Sequence, residues 1–174
     1  MKDAKMNKII KYLAYKFLSP VKYARFIGVK LGANPIINTK YFGSEPYLIE
    51  IGDNIRTSIN VYFLNHDGAV HVLRNLHKEF EQADLFRKII IGNNVYIGIN
   101  VTILSGTKVG DNVIIGAGSL VRGELKSNSV YAGVPVKYIC SIDEFKEKNS
   151  HLFINTLSTE QVKKEKIIRE MFSL

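Results

Sequence analysis

Cut every six positions, residues 91–126 read IGNNVY-IGINVT-ILSGTK-VGDNVI-IGAGSL-VRGELK. The first column of that arrangement is Ile91, Ile97, Ile103, Val109, Ile115 and Val121, aliphatic throughout. The second is Gly92, Gly98, Leu104, Gly110, Gly116 and Arg122. The fourth is Asn94, Asn100, Gly106, Asn112, Gly118 and Glu124, dominated by the two residues that most readily take positive φ. The fifth, Val95, Val101, Thr107, Val113, Ser119 and Leu125, is mostly β-branched. A period of six belongs neither to a strand nor to a helix. It fits a short strand followed by a corner, with three such sides closing a triangular coil of about 18 residues. The first-column aliphatics then point inward and Gly and Asn relieve the corners. Each coil supplies the parallel hydrogen-bond partners of the next.

Working outward, Ile51-Gly52-Asp53-Asn54-Ile55 repeats Val109-Gly110-Asp111-Asn112-Val113, and looser copies begin near Leu31-Gly32-Ala33-Asn34. Residues 67–88 break phase, with mixed charge and two histidines, and read as a loop thrown out from one corner. Long excursions from a regular scaffold tend to carry function. The pattern ends after Tyr138. Residues 141–149 and 158–172 read as helices, Ser158 and Gln161 having the spacing of a capping box for the second. At the other end, Met6, Ile9, Ile10, Leu13, Ala14 and Phe17 form one apolar stripe of a helix over 5–18, with Pro20 as its stop. That helix either packs over the open end of the solenoid as a cap, the reading we favour, or lies on an anionic membrane surface. The chain thus divides into a helical cap (1–28), a repeat domain (29–140) and a helical tail (141–174).

Composition narrows the function classes. Hydrophobic residues make up 46% of 174, with no membrane-spanning run and no secretory signal. The lone Cys140 excludes an intramolecular disulfide and a cysteine-built metal site. Among Tyr138, Ile139 and Ile142 it reads as a small buried hydrophobe. These features predict a cytoplasmic protein, with a peripheral place at the inner face of the membrane if the first helix binds lipid. Of the formal charge of +8, residues 1–30 carry +7 (eight basic, one acidic), leaving +1 for the remainder. The body of the protein is therefore no polyanion binder, and nucleic acid is not an expected partner.

Three segments carry a resemblance. The run from Tyr96 to Ser119, the closing Ala132-Gly-Val-Pro-Val-Lys137, and Phe63-Leu-Asn-His-Asp-Gly68 after Tyr47–Asn54 resemble the hexapeptide-repeat acyltransferases over about residues 29–140. The last segment is similar to the branch that O-acetylates sugars of surface polysaccharides. The resemblance implies a mainly β fold, a single-stranded left-handed parallel β-helix. The hand comes from the resemblance alone, because parallel crossovers are generally right-handed. It also implies acetyl-CoA as co-substrate, a sugar hydroxyl as acceptor, and a homotrimer with each active site between two subunits. His66 matches the family's general base. Coenzyme A would run along a groove past Gly98 and Ile99 near the thioester, then Ala117 and Gly118, with Lys137, Arg122 and Lys126 available to its phosphates. Val134 and Val136 depart from the Asn and Ala usual at those positions.

The chemistry suits these parts. An acetyl thioester is already activated, so transfer to a hydroxyl needs a base for the alcohol proton and a donor for the oxyanion, with no metal. Of the four histidines, His66 stands where the excursion leaves the coils, His71 and His77 lie within it, and His151 lies beyond the solenoid. Asp67 is placed to orient His66 or to bind a sugar hydroxyl, although neighbours on an extended chain point oppositely unless Gly68 turns the backbone. Asn65 shares that ambiguity, and Arg74 is available to an acidic acceptor. Other readings stay open: N-acetylation of a nucleotide-linked amino sugar, a γ-type carbonic anhydrase built on His66 and His71, or a non-enzymatic scaffold. The carbonic anhydrase needs three rigidly held ligands, and no histidine precedes His66 on the coils.

Overall fold

The structure, a computed structural model, describes residues 8–174, so Met6 and the start of the expected first helix lie outside the described residues. Helices α1 (Lys8–Phe17) and α2 (Pro20–Phe26) precede β1 (Lys30–Leu31), β2 (Ile49–Ile51), β3 (Arg56–Thr57) and β4 (Tyr62–Leu64). Helix α3 (Val70–Leu76) follows. Then come β5 (Ile89–Ile91), β6 (Val95–Ile97), β7 (Thr102–Leu104), β8 (Lys108–Val109), β9 (Val113–Ile115), β10 (Leu120–Val121), β11 (Glu124–Leu125), β12 (Ser129–Ala132) and β13 (Lys137–Ser141). Helices α4 (Ile142–Asn149) and α5 (Gln161–Met171) end the chain.

From β2 to β12, successive strands visit three sheets in turn. The first face is β1-β2-β5-β8-β11, the second β3-β6-β9-β12-β13 and the third β4-β7-β10. Every pairing is parallel except the closing β12–β13. The product is a three-sided parallel coil whose first and fifth columns all point inward, Thr107 and Ser119 included. Thr107 satisfies its buried hydroxyl on the Leu104 carbonyl at 2.7 Å, and Ser119 on that of Gly116 at 2.6 Å.

Register shows how the excursion is tolerated. Ile91 pairs with Val109, 18 positions on, whereas Ile51 pairs with Ile91, 40 positions on. The difference of 22 equals the length of 67–88, so the excursion leaves the stacking of the coils untouched. Coil length departs from 18 at both ends: Leu31 pairs with Ile51, 20 on, and Val109 with Leu125, 16 on. In that shortened coil the left-handed conformation falls on Gly123 (φ 79°), while Glu124 enters a strand. Elsewhere the fourth column behaves as its residues predict, with Asn94, Asn100 and Asn112 at φ 53–57°. The second-column glycines serve another purpose: they are needed for contact between coils. A Cβ on Gly92 would lie 2.7 Å from the Gly110 carbonyl oxygen.

Four other expectations are corrected. The excursion is a folded element, containing α3 and a 3-10 turn over Lys78–Phe80. Pro20 opens a second helix as well as ending the first; it occupies the first turn of α2, whose N-cap Ser19 accepts from the Lys22 N–H at 3.5 Å. The open end is covered by α2, which buries Tyr23 and Ala24, while on α1 only Ala14 is buried and Ile9, Ile10, Leu13 and Phe17 stay 46–73% exposed. Finally, Ser158 caps nothing: α5 starts at Gln161 with no side-chain cap. The capping box belongs to α4, where Ser141 Oγ accepts from Glu144 N–H at 3.1 Å and Glu144 accepts from Ser141 N–H at 2.7 Å. Hydrogen bonds from the Ser141 N–H, and then from its side chain, hold the Glu144 carboxyl below its usual range. Cys140 is buried, as its neighbours predict.

Candidate active site

His66 follows β4 at the corner between the third and first faces. The excursion leaves there and returns alongside. His66 and Phe86 form an antiparallel bridge, Asp67 N–H donates to the Leu85 carbonyl at 2.9 Å, and Arg87 N–H to the Asn65 carbonyl at 3.1 Å. The imidazole packs on the Phe86 ring with centroids 4.6 Å apart. Its Nε2 lies 3.6 Å from Oδ1 of Asp84, and both side chains remain partly open to solvent. Beside them is a groove of about 450 Å³ lined by Leu64, His66, Asp67, Arg87, Ser105 and Arg122, among others.

Of the other acceptor-side residues, Asp67 keeps its place at the groove, whereas Asn65 and Arg74 sit elsewhere. Asp67 is held in a local turn, accepting from Ala69 N–H at 3.0 Å, so it lines the groove without orienting His66. Asn65 is fully buried, its side chain turned inward to donate to the Glu45 carbonyl, and it does not reach the groove. Arg74 is engaged within the excursion: its Nε donates to the Ala83 carbonyl at 2.7 Å and its Nη2 ion-pairs with Asp84. An arginine so occupied holds the carboxylate that faces His66 and is not offered to an acceptor. Asp84, Arg87 and Ser105 were not foreseen. Ser105 follows Leu104, the register partner of Leu64, and could have been found by extending the coil register. Asp84 carries no local signal, because only the fold of the excursion brings it back.

The cofactor candidates divide between two edges. Gly98, Ile99, Ala117 and Gly118 lie between β6 and β7 or between β9 and β10, at the corner joining the second and third faces. Gly98 is stacked so tightly that a Cβ there would meet the Ala117 nitrogen at 2.7 Å, and Gly118 N–H donates to the Ile99 carbonyl at 2.8 Å. Around Gly118 the space is open. Lys137 is exposed at the C-terminal end of this edge, paired with Ala132, whose Cβ lies over Gly116. Arg122 lies instead between β10 and β11, on the edge of His66. In one chain, then, the imidazole and the glycine-lined edge stand at opposite borders of the third face.

The metal reading finds no donor set. His71 Nε2 is 3.2 Å from the Asn75 amide nitrogen, and His77 packs edge-on against Phe80. Among the described residues, no three His, Cys, Asp or Glu side chains are placed to hold a metal ion. Nor, among them, is any helix long and apolar enough to cross a membrane.

Comparison with known proteins places the repeat in a family. Residues 88–123 match the family described as bacterial transferase hexapeptide (six repeats). Protein CapG of Staphylococcus aureus is 40% identical over 146 residues, covering 82% of this chain and 83% of that protein. Galactoside O-acetyltransferase of Escherichia coli is 33% identical over 141 residues, 81% of this chain and 66% of its own length. The structure also superimposes on a galactoside acetyltransferase in complex with coenzyme A, at a TM-score of 0.58 and 28% identity over 79% of this chain and 80% of that one.

Proposed function

This chain belongs to the bacterial hexapeptide-repeat transferases and is an acetyltransferase that draws on acetyl-CoA, and we propose that it passes the acetyl group to a sugar hydroxyl in the synthesis of a surface polysaccharide. The coil is left-handed in this reading, and the working unit is a homotrimer.

The observation that carries the proposal is the separation of His66 from the Gly98–Ala117 edge. A single prism cannot bring the two together; a neighbouring copy set against the third face would. That face suits burial. Strand alternation turns Tyr62, Leu64, Leu104 and Leu120 outward there, whereas the first face presents Lys30, Glu50, Lys108 and Glu124. In such an assembly coenzyme A lies between two subunits, its pantetheine along Gly98, Ile99, Ala117 and Gly118 and its phosphates near Lys137 of the same edge. The acceptor enters the groove of the other subunit, past Asp67, Arg87 and Arg122.

His66 then accepts the proton of the sugar hydroxyl as that oxygen attacks the thioester carbonyl. The tetrahedral intermediate collapses with cleavage of the carbon–sulfur bond, and the departing thiolate takes the proton back from the imidazolium. Asp84, fixed by Arg74, stabilises the transient cation. Phe86 restricts the ring to one orientation.

The test is His66→Ala, assayed for acetyl transfer from acetyl-CoA to a panel of sugars. Turnover should fall by about a hundredfold or more while fold and acetyl-CoA affinity persist. Near-normal turnover removes His66 from the mechanism, and a silent wild type across the panel removes the sugar acceptor.

A further inference from the structure

Helix α1 presents three large apolar side chains that the body does not bury. Ile10, Leu13 and Phe17 fall at i, i+3 and i+7 and are 52%, 46% and 73% exposed. The helix is pinned to the body along the adjoining side, beginning at the margin of that stripe. Ala14 is buried, Tyr15 meets Tyr23 edge-on at 5.5 Å, and Lys40 donates to the Tyr15 carbonyl. The charges of α1 and α2 have one sign. From Lys8 to Phe26 the chain carries Lys8, Lys11, Lys16, Lys22 and Arg25 and no Asp or Glu.

We infer that α1 lies flat on an anionic lipid surface, with Ile10, Leu13 and Phe17 among the acyl chains and the surrounding cations against lipid phosphates. A helix with an apolar stripe, lysine flanks and no acid is the form that binds such an interface in its plane. Lysine stems can lie along the apolar region while their ammonium groups stay among the headgroups. A two-fold contact of α1 with α1 of a second copy is the poorer occupant, because it would set the same cations against each other. The position in the fold adds a consequence. α2 abuts β1, the edge strand of the first face, and β4, from which His66 follows, is the edge strand of the third. The membrane-facing end of the prism is therefore also the end that carries the candidate base.

The experiment sediments the full-length protein with vesicles of phosphatidylcholine alone or mixed with phosphatidylglycerol, at low salt and at about 0.5 M salt. A double variant, Leu13→Glu with Phe17→Glu, changes only exposed positions, and its thermal midpoint and assembly size are measured alongside. The wild type should partition onto the anionic vesicles, weakly onto the neutral ones and less in salt. The variant, equally folded and assembled, should lose at least about tenfold of that partitioning. The inference is overturned if the wild type stays in the supernatant, if the variant binds as well as the wild type, or if the variant's loss accompanies a smaller assembly, which would make the stripe a contact between copies. Sedimentation reads nothing of catalysis, so this result stands apart from the acetyl-transfer assay.

Discussion

His66 Nε2 lies 3.6 Å from Asp84 Oδ1, although the two residues stand at opposite ends of the excursion. The carboxylate reaches that place because Arg74, on α3, ion-pairs with it, and because the return leg bonds back to Asn65 and Asp67. In the proposed mechanism Asp84 is a positioning residue, and the structure holds it from two directions. Asp84→Asn should lower kcat about tenfold or more while leaving KM for acetyl-CoA unchanged, and Asp84→Glu should recover part of the loss. Arg74→Ala should resemble Asp84→Asn, since it frees the same carboxylate. Steady-state kinetics on the three variants checks this; a change confined to KM would make Asp84 a binding group instead.

Placing the imidazole and the glycine-lined edge on different borders of the prism gives a sharper test by complementation. His66→Ala removes the proposed base. Ala117→Tyr obstructs the other edge at an exposed position, leaving the core intact. Each variant alone should be inactive. Unfolded together in equal amounts and refolded, they form mixed assemblies in which about a quarter of the sites join an intact base to an intact edge, so about a quarter of wild-type activity should return. If each chain holds a complete site, mixing restores nothing.

The coil was legible because its physics is local and repeated. A six-residue period with aliphatics in the first column and Asn or Gly in the fourth admits few structures, and every one of those aliphatics is buried. That His66 sits where the excursion leaves the coil was legible, because the repeat breaks there. Its surroundings were not, because Asp84 and Arg87 are brought to the groove by the folding of the excursion, whose mixed composition concealed a helix and a turn. Arg122 illustrates a different limit. Counting hexads assigns it to a column, but the edge it occupies follows only when the strands are assigned to faces. The exposed stripe of α1 was visible as periodicity; which face met the protein was not, because the pattern is the same whether a core or a lipid surface takes it.

The corner conformation offers a stability test. Asn112 sits at φ 55°, and its side chain also joins a ladder, donating to Asn128 at 2.8 Å and accepting from Asn94 at 2.8 Å. Asn112→Gly keeps the conformation and loses the ladder, so it should cost about 1 kcal/mol. Asn112→Val adds the penalty of a β-branched residue at positive φ and should cost about 1–2 kcal/mol beyond that. Chemical denaturation of both variants checks the order; equal costs would mean that the ladder, and not the backbone angle, selects asparagine.

Glu50 predicts how stability depends on acid. Its carboxylate accepts from Lys88 Nζ at 3.0 Å and from Lys30 Nζ at 3.1 Å, and these bonds hold it below the usual carboxylate range. A carboxyl whose folded-state value is lowered binds its proton more readily in the unfolded chain. Its contribution is therefore present above the unfolded value, about 4.3, and is lost as pH falls through the folded one. All three side chains are on the surface, so the effect is small and screened by salt. Lys88 closes the excursion, so its bond to Glu50 also fastens the return leg to the first face. Lys88→Ala should flatten the fall in thermal midpoint between about pH 5 and pH 3 relative to wild type, and the difference should shrink in high salt. Parallel melting curves of the two proteins through that window would show that Glu50 draws nothing from Lys88 in the folded state.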